Sequence, residues 1–244
     1  MAADAIYFNS QFHLDVFFKT LPNMLKHFGD FNELDTVDIL RARASVLPLG
    51  LDLRRFDAYH TDEKLDVPLL VWNHRWEEDK NPRLFVQALD QLAEENIPFK
   101  VAFLGENPRQ SQTEFHEAAR RLQPHIVHFG YTRSFEEYAR WLWRADYIIS
   151  TSYQEFFGGA VVEGIYCHCI PILPHRLNYP DLMPPELHSA CLYSRDRLVP
   201  LLRRHLSGEM SVDTALTRAY VAQFDWSIMA PHYDDVFEQL VQNK

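Results

Sequence analysis

The stretch Tyr147-Ile148-Ile149-Ser150-Thr151-Ser152-Tyr153-Gln154-Glu155-Phe156-Phe157-Gly158-Gly159-Ala160-Val161-Val162-Glu163-Gly164 decides the fold. Tyr147 to Ile149 is the β-branched and aromatic run of a buried strand, and Ser150 to Ser152 is the loop leaving it. Gly158-Gly159 then forms a turn without Cβ atoms at the start of a helix, where a ligand can approach the backbone. The free N–H groups and positive dipole end of such a helix favour an anion, so the corner is laid out for a diphosphate. Glu155 precedes the turn, and Glu163 lies about two turns further on. Two acids beside a phosphate site are best read as hydroxyl acceptors.

Outward from this corner the chain alternates regularly. Strands are expected at Val67 to Trp72, Phe99 to Leu104, Ile126 to Phe129, Tyr147 to Ile149 and Ile170 to Leu173. Helices are expected between them at Asn81 to Glu95, Gln112 to Leu122, Ser134 to Ala145 and Gly159 to Tyr166. This pattern demands an α/β fold with a parallel, doubly wound sheet and ligands at the carboxyl ends of its strands. His74, Arg75 and Lys80 follow the first of these strands, Gly105 and Glu106 the second, Gly130 and Tyr131 the third, and Glu155 the fourth.

Ahead of the sheet, Ile6 to Phe8 reads as a strand, and Phe12 to Leu25 as a helix that carries Pro22. Residues 44–53 read as a strand running into a glycine turn, and Asp57 to Asp66 as a polar linker. After it, Leu198 to Leu202, Ser211 to Phe224 and Trp226 to Val241 read as helices, with Pro231 expected in the first turn of the last.

The chain has 244 residues, of which 47% are hydrophobic and 14% aromatic, enough to bury a full core. No apolar run reaches the ~20 residues that span a bilayer, and the start lacks the features of a signal peptide, so the expectation is a cytoplasmic protein with no membrane partner. Cys167, Cys169 and Cys191 are too few and too unevenly placed for a disulfide framework. Cys167-His168-Cys169 has neither zinc-knuckle spacing nor a second ligand pair, and no Asp-x-Asp pair stands near a strand end, so no metal is expected. A net charge of −10 argues against binding a nucleic acid mainly by charge. Local pairs such as Arg41 and Arg43, Arg54 and Arg55, Arg120 and Arg121, and Arg203-Arg204 leave an RNA partner open without indicating one.

The Glu155-x7-Glu163 spacing resembles the signature of retaining glycosyltransferases of GT-B architecture. With Trp72-Asn73-His74-Arg75-Trp76-Glu77-Glu78-Asp79-Lys80-Asn81-Pro82, Phe103-Leu104-Gly105-Glu106, His128-Phe129-Gly130-Tyr131 and Tyr166-Cys167-His168-Cys169, it is similar to the tRNA-queuosine mannosyltransferase family, the glycosyltransferase-like-domain proteins. The resemblance covers residues 3–185 and is densest over 68–182. It implies a C-terminal Rossmann-like nucleotide-sugar-binding domain over 61–205, preceded by the tail of an acceptor-side N-terminal domain over 1–60 and followed by crossover helices over 206–244. Most of the acceptor-side domain is expected to be missing.

Roles follow as expectations. Arg75 and Lys80 would stabilise a departing nucleoside diphosphate without a proton transfer, the alternative being surface pairing with Glu77, Glu78 or Asp79. Gly158 and Gly159 would present backbone N–H groups to the same phosphates, the alternative being a plain loop turn, and Phe157 beside them is counted among the donor-binding residues. Glu155 would accept hydrogen bonds from the sugar's hydroxyls, and Glu163 from the ribose. Tyr131 sits where the family holds the base, although a packed surface tyrosine fits as well. His74 could touch a phosphate or acceptor, or be a core-edge residue beside two tryptophans. Gly105 would admit a ligand closely.

The resemblance implies a nucleotide-sugar donor, with GDP-mannose suspected, and queuosine in tRNA as acceptor. It further implies retention by front-face displacement, with no cofactor. A non-catalytic nucleotide-sugar-binding module and an epimerase of the same architecture stand as the other readings.

Overall fold

The computed structural model describes residues 3–105 and 119–242, and the chain divides into two compact units, Met1–Leu51 with Gln223–Lys244, and Asp52–Ala222. The expected helix Gln112 to Leu122, except for its last residues, and Glu106 lie outside the described residues.

In the first unit, strand β1 (Ile6–Phe8) pairs in parallel with β2 (Ala44–Val46), Ile6 opposite Ala44. Helices α1 (Gln11–Leu25) and α2 (Thr36–Ala42) lie between them in sequence. Ser10 caps α1, its Oγ accepting from the His13 N–H at 3.0 Å, which satisfies one of the helix's orphan donors. Phe8, Leu14, Phe18 and Leu21 form this unit's core. A terminal helix, Trp226–Gln242, completes it. Pro231 is that helix's sixth residue, inside it rather than in its first turn. Its position is exposed, so the carbonyl that loses a helical partner can be hydrated instead.

The second unit is built on six parallel strands: β3 (Leu69–Trp72), β4 (Lys100–Phe103), β5 (Ile126–Phe129), β6 (Tyr147–Ile149), β7 (Ile170–Pro174) and β8 (Leu192–Tyr193). Their spatial order is β5-β4-β3-β6-β7-β8. The first strand in sequence is therefore central, and the chain winds one way from it and then the other. Parallel crossovers are right-handed as a rule, so crossovers that run in opposite directions from a central strand cover both faces of the sheet with helices. The two-residue β8 was not expected, being too short to show a pattern.

The connecting helices are α3 (Pro82–Glu94), α4 (Phe135–Arg144), α5 (Gly159–Tyr166), the short α6 (His188–Cys191), α7 (Leu198–Leu206) and α8 (Thr214–Val221). Ser134 caps α4 through the Glu137 N–H at 3.1 Å, while the Glu137 carboxylate accepts from the Arg133 N–H at 2.8 Å. Trp72, Trp76, Phe85 and Phe103 anchor the core beneath α3, the Trp72 and Phe85 rings lying nearly parallel. Gly164 lets α5 settle onto β6, because a Cβ there would come within 2.9 Å of Ile148 Cγ1.

The segment expected to begin a linker is instead pinned into this unit. Arg54–Tyr59 forms a 3-10 turn with Phe56 buried, and Trp143 Nε1 donates to the Phe56 carbonyl at 2.8 Å. Asp57 accepts from Arg218 at 2.7 Å and from the Tyr166 hydroxyl at 2.8 Å. Its polarity serves internal partners that sequence spacing could not reveal. The three cysteines are free and buried, with burial pushing the Cys169 and Cys191 thiols up to about 12.

Candidate functional site

The strand order reverses between β3 and β6, and a ligand crevice opens outside the carboxyl ends of strands at such a point. Two loops meet there, residues 73–81 and 150–158. Their main chains are joined: the Asp79 carbonyl accepts from the Tyr153 N–H at 2.7 Å and the Gln154 N–H at 3.4 Å. Thr151 Oγ1 donates to the Lys80 carbonyl at 2.8 Å. Asn81, with φ 48°, turns the chain sharply into α3 directly after Lys80.

Lys80 is only 9% exposed. Its Nζ donates to the Gln154 carbonyl at 2.8 Å and lies 3.4 Å from Glu155 and 3.2 Å from Asp79. A cation from one loop is thus held against a carboxylate from the other, with its hydrogen-bonding capacity used. The second oxygen of Glu155 accepts from the Phe156 N–H at 3.1 Å and the Phe157 N–H at 3.3 Å. Gly158 follows at φ 96°, a left-handed conformation that only glycine adopts cheaply, and opens α5 as its N-cap.

Past the ends of β3, β4 and β5 lies a cleft of about 600 Å³, lined among others by Asn73, Arg75, Gly105, Tyr131, Tyr138 and Glu163. Burial raises the Glu163 carboxyl above the usual range, opposed by the Tyr138 hydroxyl, which donates to it at 2.6 Å. Asn73 Nδ2 donates to that hydroxyl at 2.9 Å and to the Ala160 carbonyl at 2.8 Å. Asn73, Tyr138 and Glu163 therefore form one relay from the end of β3 to the second turn of α5. A carboxylate held this way offers its remaining lone pairs to the hydroxyls of a bound molecule.

The other expected residues divide. Arg75 lines the cleft but is exposed and bonds Glu77 at 3.0 Å, the surface pairing that stood as its alternative. His74 is 4% exposed and packs against the Trp72 ring, and burial followed by the charge of Lys80 pushes its pKa down to about 3. It is a neutral core-edge histidine whose buried Nε2 has no partner among the described residues. Gly105 admits the chain itself: a Cβ there would sit 1.5 Å from the His74 carbonyl oxygen. Tyr131 is 73% exposed at the cleft's rim. The Phe157 side chain is buried, so only its main chain can serve a ligand.

Sequence reading missed Asn73 and Tyr138. Asn73 carried a usable signal, standing directly after a sheet strand. Tyr138 carried none, since its partner is 25 residues away on another helix. Among the described residues, no group of three or more His, Cys, Asp or Glu could hold a metal ion, and no helix is long and apolar enough to cross a membrane.

Known proteins resemble this chain in both halves. The profile of the family described as "Glycosyl transferases group 1" matches residues 56–186, and that of "tRNA-queuosine alpha-mannosyltransferase N-terminal" matches residues 1–51. A curated tRNA-queuosine alpha-mannosyltransferase from Drosophila melanogaster is 32% identical over 253 residues, covering 100% of this chain and 67% of its own length. Among solved structures, a glycosyltransferase from Rickettsia africae superposes with a TM-score of 0.69 at 19% identity, covering 94% of this chain and 68% of its own. Anabaena HepE in complex with UDP superposes at 0.70 with 13% identity, covering 97% and 64%. At these identities the structural likeness speaks for the fold.

Proposed function

Because the chain belongs to the group 1 glycosyl transferases of GT-B fold and to the tRNA-queuosine alpha-mannosyltransferase family, we propose that it moves a mannosyl group from GDP-mannose to queuosine in a tRNA, with retention of configuration. The observation that carries this reading is the Lys80–Glu155 pair at the reversal of strand order.

In this assignment the ribose and base occupy the cleft of Glu163 and Tyr131, and the diphosphate lies toward Lys80, Arg75 and the start of α5. The mannosyl hydroxyls meet Glu155. The bond from the anomeric carbon to the phosphate oxygen breaks while the acceptor oxygen bonds that carbon on the same face. The acceptor's proton passes to the departing phosphate oxygen. Lys80, held in place by Gln154, Glu155 and Asp79, acts on the charge that builds on that oxygen through its own fixed positive charge. Glu155, already held by Lys80 and two N–H groups, acts as an orienting acceptor and not as a nucleophile.

Calorimetric titration with GDP, UDP, ADP and GDP-mannose tests the donor, with Lys80→Ala and Glu155→Gln as paired variants. Selective binding of GDP and GDP-mannose is the expected result, with both lost in Lys80→Ala and the added affinity of GDP-mannose over GDP lost in Glu155→Gln, because only the donor carries the mannosyl hydroxyls. Preference for UDP or ADP would discard the mannosyl assignment, and wild-type binding in both variants would discard the site. Transfer of label from GDP-mannose to queuosine-bearing tRNA, with the anomeric configuration read by NMR, tests the acceptor and retention.

A further inference from the structure

One recess away from the donor cleft carries positive charge out of keeping with the chain's net −10. It has a volume of about 530 Å³ and lies in the second unit, between the start of α3 and the ends of β7 and β8. Arg83, Arg176 and Arg195 line it against a single acid, Asp196.

Tyr153 forms part of its wall and is 56% exposed. The Arg176 guanidinium stands over that ring, 4.9 Å from its centroid, and is itself fixed by donating to the Ser152 carbonyl from Nε at 3.2 Å and from Nη2 at 2.9 Å. An exposed aromatic ring backed by a held cation is a stacking platform. Its backbone N–H bonds the Asp79 carbonyl at 2.7 Å, so the platform is tied to the loop that carries Lys80.

An occupant has to offer a flat π-system for the ring and anions for the arginines. Unpaired RNA offers both at the spacing of one nucleotide, base and phosphodiester, whereas in a duplex the bases are stacked away. We propose that this cleft binds an unpaired loop of an RNA acceptor, with one base on Tyr153 and neighbouring phosphates at Arg83 and Arg195. The assignment rests on the RNA-acceptor reading of the preceding subsection.

The experiment is fluorescence anisotropy with a fluorescein-labelled RNA stem-loop and a fully paired duplex of equal length, run across a salt series. Each variant is also titrated with GDP by calorimetry. The stem-loop is expected to bind more tightly than the duplex. Tyr153→Ala should weaken it about tenfold and Tyr153→Phe should leave it unchanged, because stacking needs only the ring. Arg83→Glu with Arg195→Glu should flatten the log–log salt slope by about 1.4, roughly 0.7 for each phosphate that is no longer neutralised. GDP binding should persist in all of them.

Stem-loop binding that is indifferent to these changes, or equal binding of the duplex, overturns the cleft and leaves the RNA acceptor standing elsewhere. No RNA binding by the wild-type chain overturns both. Variant-sensitive RNA binding with no transfer of mannose to RNA keeps the cleft and overturns the transferase's acceptor. If Tyr153→Ala also loses GDP, the arginine reversals decide alone.

Discussion

Replacing Glu163 by Gln separates the two costs this carboxylate carries. Glutamine preserves the volume and still offers an oxygen to the Tyr138 hydroxyl, so the relay from Asn73 survives while the charge goes. One oxygen of Glu163 is engaged by Tyr138 at 2.6 Å, leaving the other to receive two ribose hydroxyls in the proposed complex. In the variant the amide oxygen stays on Tyr138 and its NH2 faces the ribose, so two hydroxyls that donated to a charged oxygen must accept from a neutral NH2; at about 1 kcal/mol lost per bond this costs about 2 kcal/mol, or roughly thirtyfold in Kd. Calorimetry with GDP and 2′-deoxy-GDP reads this directly. The wild type should lose affinity for the deoxy compound, and Glu163→Gln should lose much less, because the hydroxyl's partner is already weakened.

Stability should move the other way. Burial raises the Glu163 carboxyl, so the folded chain holds that proton more tightly than the unfolded chain does. Its contribution to stability is present below the unfolded value and falls as pH rises through the folded one. The melting temperature of Glu163→Gln relative to wild type should therefore climb as pH is raised from 4.5 toward 7. Unchanged discrimination between GDP and its 2′-deoxy form, with full affinity in the variant, would refute the placement of the ribose at Glu163.

Other outcomes follow from features already described. Gly105→Ala drives a Cβ into the His74 carbonyl, a backbone clash that no rotamer relieves, and should cost about 3 kcal/mol in urea unfolding; a fully stable variant would mean that the β3 loop shifts freely. His74 titrates near 6.5 when unfolded and at about 3 when folded, so the unfolded chain binds more protons between those values and stability falls as pH drops below 6.5. The loss should be about 1.4 kcal/mol at pH 5.5 and absent in His74→Gln, and an identical acid limb in that variant would show that other groups carry it. Lys80→Ala should destabilise the ligand-free chain by about 3 kcal/mol, because it leaves Asp79 and Glu155 without their cation; a melting temperature equal to wild type would count against a held pair.

The sheet was legible because its strands are local signals: Ile126–Phe129, Tyr147–Ile149 and the helix Gly159–Tyr166 fall where periodicity and glycine placed them. Lys80 and Glu155 could be assigned to one candidate site from sequence because each lies in the loop that follows a sheet strand, and the parallel order brings such loops together. What escaped notice depends on partners distant in sequence. Tyr138 looks like one more aromatic on an amphipathic helix until Glu163 and Asn73 meet it. Asp57 looks like linker until Arg218 arrives from 161 residues away. The burial of His74, and the use of Gly105 by the chain's own backbone, depend on how β3 and β4 lie side by side, which periodicity does not encode.

The bonds from the Tyr153 and Gln154 N–H groups to the Asp79 carbonyl are made by main chain alone. No side-chain substitution at 153 or 154 short of proline deletes them, so the alignment of Lys80 with Glu155 is insulated from mutation at the two positions that precede the acid. A library randomised at 153 and 154 could therefore be selected for new acceptors with the donor machinery held constant. These positions are where a lineage could change its clientele without rebuilding its chemistry.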